Sequence, residues 1–124
     1  MKKKKTAITL IILCCIVLIT AAFFHFRRDA GNSSYIEYHF RNAQLLSEHY
    51  DKHGKEMGFA SKEDYEKAAS DVANDSSALH KKEKEDNDDV YYLVETNEIV
   101  IISYDGYIRT FFCPDSGISY FNRQ

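Results

Sequence analysis

Tryptophan is absent from this chain of 124 residues and proline occurs once, at Pro114. No proline-rich linker or low-complexity spacer can therefore divide it. Cysteine is nearly as sparse: Cys14 and Cys15 sit side by side near the N-terminus, and Cys113 is alone beyond them. That excludes a disulfide framework for the greater part of the chain. In an oxidising compartment Cys113 is expected to be buried or to pair between chains. Acidic residues are missing from the first 28 positions, and no charged residue of either sign lies between Thr6 and Phe24. Internal repeats are absent too.

The uncharged run is rich in Ile, Leu, Val, Ala and Phe, preceded by lysines at positions 2–5 and followed by Arg27 and Arg28. A bilayer core needs roughly 20 apolar helical residues, which this run supplies. The sequence thus predicts a single-pass anchor over residues 1–28. Two other processing routes compete with it. Thr20-Ala21-Ala22 resembles a signal-peptide cleavage site. The residues before Cys14, Ile12-Leu13, lack the small side chain of a lipoprotein signal. Four lysines against two arginines favour a cytoplasmic N-terminus and an outward-facing remainder. The expected localisation is the cell membrane, or secretion if the segment is cleaved.

Residues 29–34 read as a polar linker and residues 35–124 as one soluble domain, long enough for a single core. From residue 29 onward there are ten basic and nineteen acidic residues, a formal charge of −9. Such a surface repels nucleic acid and anionic lipid at long range. Ile36, Phe40, Ala43, Leu46 and Tyr50 recur at helical spacing, with Gly54 placed to stop the helix. Ser61-Lys62-Glu63-Asp64 has the form of a capping box, and Tyr65, Ala68, Ala69 and Val72 make a stripe behind it. The run Lys81–Asp89 reads as a solvated loop. Strands are expected over residues 90–95, 98–103 and 107–113, with turns at Thr96-Asn97 and Asp105-Gly106. A short last strand is expected over residues 118–121. The expected fold is α+β: two helices on a three- to four-stranded antiparallel sheet.

The chemistry concentrates at residues 49–53. On a helix His49 and His53 share one face, with Lys52 on the adjoining side. Imidazoles near their ordinary pKa of about 6.5 can move protons, and an ammonium can hold a phosphate. That set suits cleavage of RNA by its own 2′-hydroxyl. Arg109, Thr110, Ser119 and Tyr120 could add phosphate contacts from the strand half. Two plainer readings stay open. A helix C-terminus favours cations by its dipole alone. Two histidines at this spacing could share a divalent ion, although a neighbouring lysine is unfavourable to a metal. No cofactor is expected.

His49-Tyr-Asp-Lys-His-Gly-Lys-Glu-Met-Gly58, the Ser61-x-Glu63-x-Tyr65 helix start and Asp105-Gly-Tyr-Ile-Arg-Thr-Phe-Phe-Cys-Pro114, with Tyr120-Phe121, are similar to a class of bacterial domains. These are the C-terminal domains of polymorphic toxins and phage head-morphogenesis proteins, of colicin D-like type within the barnase–EndoU–colicin–RelE ribonuclease group. The resemblance runs from Phe40 to Phe121. It implies helices on a curved antiparallel sheet and metal-independent RNA cleavage leaving a cyclic phosphate. It implies catalytic roles for His49, Lys52, His53, Arg109 and Thr110, and substrate contacts for Ser119 and Tyr120. Its implied partners are RNA and an immunity-type protein. The alternative is a non-catalytic anchored module that binds a protein or envelope component.

Overall fold

Helical spacing from Tyr35 gives way, in the three-dimensional structure, to an extended segment that lies along a later helix. The structure is a computed structural model and describes residues 34–124. Glu66, Ser70 and Asn74 fall four residues apart, one stripe on helix α2 (Lys62–Asn74; α1 precedes it, below). Glu66 Oε2 accepts the Phe40 N–H, Ser70 Oγ the Tyr38 N–H and Asn74 Oδ1 the Ile36 N–H, each at 2.9 Å. Two residues of extended chain rise about 6.6 Å and four of helix about 6.0 Å, so the two periods run in step. The N–H groups of Ile36, Tyr38 and Phe40 find acceptors on α2 rather than within a helix of their own. This register delivers strand β1 (His39–Phe40).

Helix α1 (Ala43–His49) starts eight residues later than the apolar spacing predicts. Its cap is Asn42, whose side chain accepts the Leu45 N–H at 2.9 Å. The helix then widens over Tyr50–Gly54, where the Lys55 N–H reaches back five residues to the Tyr50 carbonyl at 3.0 Å. Gly54 is not the expected stop. A Cβ there would overlap the Tyr50 ring and crowd Tyr65. It is a close-approach glycine, and the left-handed turn falls at Gly58, φ 90°.

Helix α2 begins where the capping box predicts: Ser61 Oγ accepts the Asp64 N–H at 3.1 Å. Strands β2 (Leu79–Lys82), β3 (Asp89–Leu93), β4 (Glu98–Ile102) and β5 (Tyr107–Phe112) follow, then helix α3 (Ile118–Arg123). Asn97, φ 55°, and Gly106, φ 92°, occupy the two expected turns. Part of the charge run is strand rather than loop, and residues 118–121 are helix rather than strand. The sheet has five strands in the order β1-β5-β4-β3-β2. It is mixed, not wholly antiparallel, because β1 pairs parallel with β5. Among the described residues no helix is long and apolar enough to cross a membrane. The expected anchor over residues 1–28 lies outside them.

Both sheet faces are covered. Tyr65, Ala69 and Val72 of α2 pack on Val100, Ile102, Ile108 and Phe111, with Phe40. The buried Tyr65 hydroxyl donates to the Phe111 carbonyl, which satisfies its one polar atom. Opposite, Phe121 of α3 packs on Val90, Tyr92 and Ile99. Between β4 and β5 the register jumps: Ile101 faces Thr110, but Ile102 faces Ile108. Arg109 is the extra residue of a bulge. The bulge lets Ile108 and Phe111 enter the same face and frees Arg109 at the sheet's rim.

Candidate functional site

His49 closes α1 and His53 sits in the widened turn, so both come from one short stretch held against the β1–β5 edge. Their ring centroids are 6.1 Å apart. His49 packs on Phe40, 5.0 Å between centroids. Its Nδ1 is buried with no hydrogen-bond partner among the described residues. His53 stacks on Phe112 at 5.2 Å. Burial, and then the charge of Lys52, holds both imidazoles below the ordinary histidine pKa; the nearby His49 depresses His53 further. Lys52 itself is exposed and makes no ion pair among the described residues.

Each histidine faces a hollow. His49 lines one of about 310 Å³ with Arg41, Ser103, Tyr107 and Arg109. His53 lines one of about 390 Å³ with Glu56, Phe112, Cys113 and Asp115. Cys113 is exposed at that rim, which removes the first of the two expected alternatives, burial, and leaves pairing between chains.

Both arginines of the first hollow are already held by carboxylates. Arg41 Nη2 donates to the two Asp105 oxygens at 2.9 and 2.8 Å, and its guanidinium lies 4.3 Å from the Tyr107 ring centroid. Arg109 Nε lies 2.7 Å from Asp88 Oδ2 and its Nη1 3.5 Å from Asp86. The Asp88 side chain is only 3% exposed. Its other oxygen accepts the Tyr104 N–H at 3.2 Å, so the buried carboxylate is paired at both ends. Glu83 approaches Asp86 and Asp88, their oxygens within 4.8 Å of one another. With Arg109 on two of the three carboxylates and two backbone N–H groups on Glu83, the cluster is built to hold a guanidinium.

The fold sets His49 and His53 side by side with Lys52 near them, but the two rings line separate hollows and Lys52 lines neither; Arg109 comes to the hollow of His49. Thr110 shares the sheet face of Ile99 and Phe112 and lines neither hollow. Ser119 is exposed on α3 and lines neither. Tyr120 meets Phe112 edge-on at 5.2 Å, so it reaches His53 only through that ring. Arg41, Tyr107 and Phe112 were not among the residues singled out from the sequence. Arg41 stands before the cap of α1, and nothing local marks it as facing strand β5.

Two half-buried imidazoles whose pKa values lie below the ordinary one favour the neutral, proton-accepting form near neutrality. The exposed Lys52 ammonium near them can meet developing negative charge.

No family model matches the chain, and no curated protein matches it. Among solved structures it matches a ribonuclease from Escherichia coli complexed with its inhibitor protein, at 20% identity and a TM-score of 0.50. The match covers 62% of this chain and 95% of that one. At that identity the likeness is one of fold: an α+β domain with the architecture of a bacterial ribonuclease.

Proposed function

We propose that residues 35–124 are a metal-independent endoribonuclease of the colicin D-like toxin type. One observation carries this reading: two imidazoles 6.1 Å apart, both held below their ordinary pKa, beside a lysine that makes no ion pair among the described residues, on a fold shared with a ribonuclease. One neutral histidine takes the proton of the ribose 2′-hydroxyl. The 2′-oxygen attacks phosphorus, and the bond to the 5′-oxygen breaks. The other histidine, protonated, gives its proton to that leaving oxygen. The products are a 2′,3′-cyclic phosphate and a free 5′-hydroxyl. Lys52 stabilises the charge gathered on the phosphoryl oxygens. Arg109, fixed by Asp88, shapes the hollow rather than reaching freely for phosphate.

The anchor expected over residues 1–28 would hold the domain outside the cytoplasm, away from the cell's own RNA. The E. coli ribonuclease is complexed with an inhibitor protein; by analogy an immunity-type partner would cover the histidine face of this domain.

The test uses purified residues 35–124 with RNA and a chelator. Cleavage to a cyclic phosphate is expected. His49→Ala and His53→Ala should each lower the rate by about a hundredfold or more. A folded domain that leaves RNA intact would point to the non-catalytic binding module, for which the charge of −8 on residues 35–124 is the supporting observation.

A further inference from the structure

The turn between β4 and β5 spends two aromatic rings on solvent. Tyr104 is 75% exposed and Tyr107 38%. Tyr107 lines the hollow of His49, and so does Ser103, the neighbour of Tyr104. The turn is rigid where it matters. Ser103 Oγ donates to Asp105 at 2.6 Å and accepts the Tyr107 N–H at 3.0 Å, and Gly106 N–H donates to the Ser103 carbonyl at 2.8 Å. The Tyr104 N–H is tied to buried Asp88. Neither ring belongs to the buried clusters; Tyr107 lines the hollow of a candidate catalytic histidine, and Tyr104 stands on the same braced turn.

Charge sharpens the point. A protein that grips nucleic acid through phosphates needs cations to spare. Around this hollow Arg41 and Arg109 are already paired with Asp105, Asp86 and Asp88. Phosphate contacts alone would not hold RNA on a domain with ten basic and eighteen acidic residues, a formal charge of −8. Stacking on an aromatic ring is indifferent to that charge and tolerates any base. Arg41 lies over one face of the Tyr107 ring, 4.3 Å from its centroid, so a base can stack on the outer side of the guanidinium or on the ring's other face.

We infer that the β4–β5 turn is a base-stacking subsite: unpaired bases flanking the cleaved bond lie on Tyr104 and on the Tyr107–Arg41 pair. This rests on the ribonuclease reading for its substrate, but it is tested apart from cleavage. A duplex, whose bases already stack on one another, cannot use the site.

The test measures binding of a short unpaired oligonucleotide with 2′-O-methyl sugars, which cannot be cut by 2′-hydroxyl attack, beside a duplex of the same sequence. Residues 35–124 should bind the unpaired strand with weak salt dependence and the duplex far less. Tyr104→Ala and Tyr107→Ala should each weaken binding about fivefold to a hundredfold, while the Tyr→Phe variants bind as wild type. Tyr104→Ala disturbs no packing, so it guards against a folding artefact. Unchanged affinity in both alanine variants, equal binding of duplex, or no binding by the wild type overturns the subsite. Binding that obeys the tyrosine variants without any RNA cleavage leaves the subsite standing and removes the ribonuclease. Histidine-dependent cleavage that ignores both tyrosines does the reverse.

Discussion

His49 carries a cost that a residue kept for structure would shed. Its Nδ1 is buried without a partner among the described residues, and such an atom costs about 1–3 kcal/mol. Phe40 packs against the ring, so a phenyl group would suit the site better than an imidazole. His49→Phe is therefore expected to keep or raise the melting temperature while abolishing cleavage, checked by calorimetry beside the RNA assay. A stability loss with cleavage intact would make His49 a packing residue. The pH response follows from the same burial. His49 and His53 have folded pKa values below that of the unfolded chain, so the unfolded state binds protons more readily. Their contribution is complete above about pH 6.5 and is lost as pH falls through the folded values. His39, raised by its bond to Glu66, acts in the opposite sense but lies near the surface. Thermal stability should fall between pH 7 and pH 5, above the range where the carboxylates titrate, and His49→Phe should flatten that fall. At this scale the sequence was informative about which residues carry chemistry, because imidazole at i and i+4 is a local pattern. It was silent on Arg41 and Phe112, which reach the site only through pairing of distant strands.

Among the elements, the departures from sequence expectation have one cause: distant partners override local pattern. The Tyr35–Phe40 segment has helical apolar spacing, yet the polar stripe Glu66, Ser70 and Asn74 claims its N–H groups. That stripe is visible in the sequence, but its partner is not. Ser70 is fully buried, so Ser70→Ala leaves the Tyr38 N–H and carbonyl unanswered. A loss of about 1–3 kcal/mol is expected, with faster amide exchange at Tyr38 measured by hydrogen exchange. Exchange unchanged at that amide would mean the stripe does not hold the segment. Strand β2 has no apolar alternation, and it forms because His80 and Lys82 pair with Asp89 across the hairpin while its charges guard an exposed edge. Residues 118–121 are too few to choose a period, and burial of Phe121 selects the helix. Gly54→Ala tests the widened turn. A methyl group there meets the Tyr50 and Tyr65 rings, so overpacking of about 1–3 kcal/mol is expected, read as a lower denaturation midpoint. Because His53 lies one residue away, cleavage should fall further than stability alone explains.

The whole molecule joins an acidic domain to an uncharged, apolar run bracketed by lysine and arginine. The α+β class and the antiparallel meander were legible because strand alternation and the Asn97 and Gly106 turns are local signals. The parallel β1–β5 pair was not, since it closes a span of nearly seventy residues that no short window samples. Orientation across a bilayer depends on few residues and can be tested as simply. Lysines at 2–5 outnumber Arg27 and Arg28, and cytoplasmic flanks collect positive charge. A reporter enzyme active only outside the cytoplasm, fused after Gln124 of the full chain, is expected to be active. Replacing the four lysines with glutamine leaves Arg27 and Arg28 as the only lysine or arginine side chains at the flanks and should turn the chain round, silencing the reporter. If the proposed ribonuclease is right, the turned chain places its histidine pair among cellular RNA. It should then slow growth unless His49 is also replaced. A reporter active both before and after the replacement, or inactive in both, would show that the run does not set topology by charge.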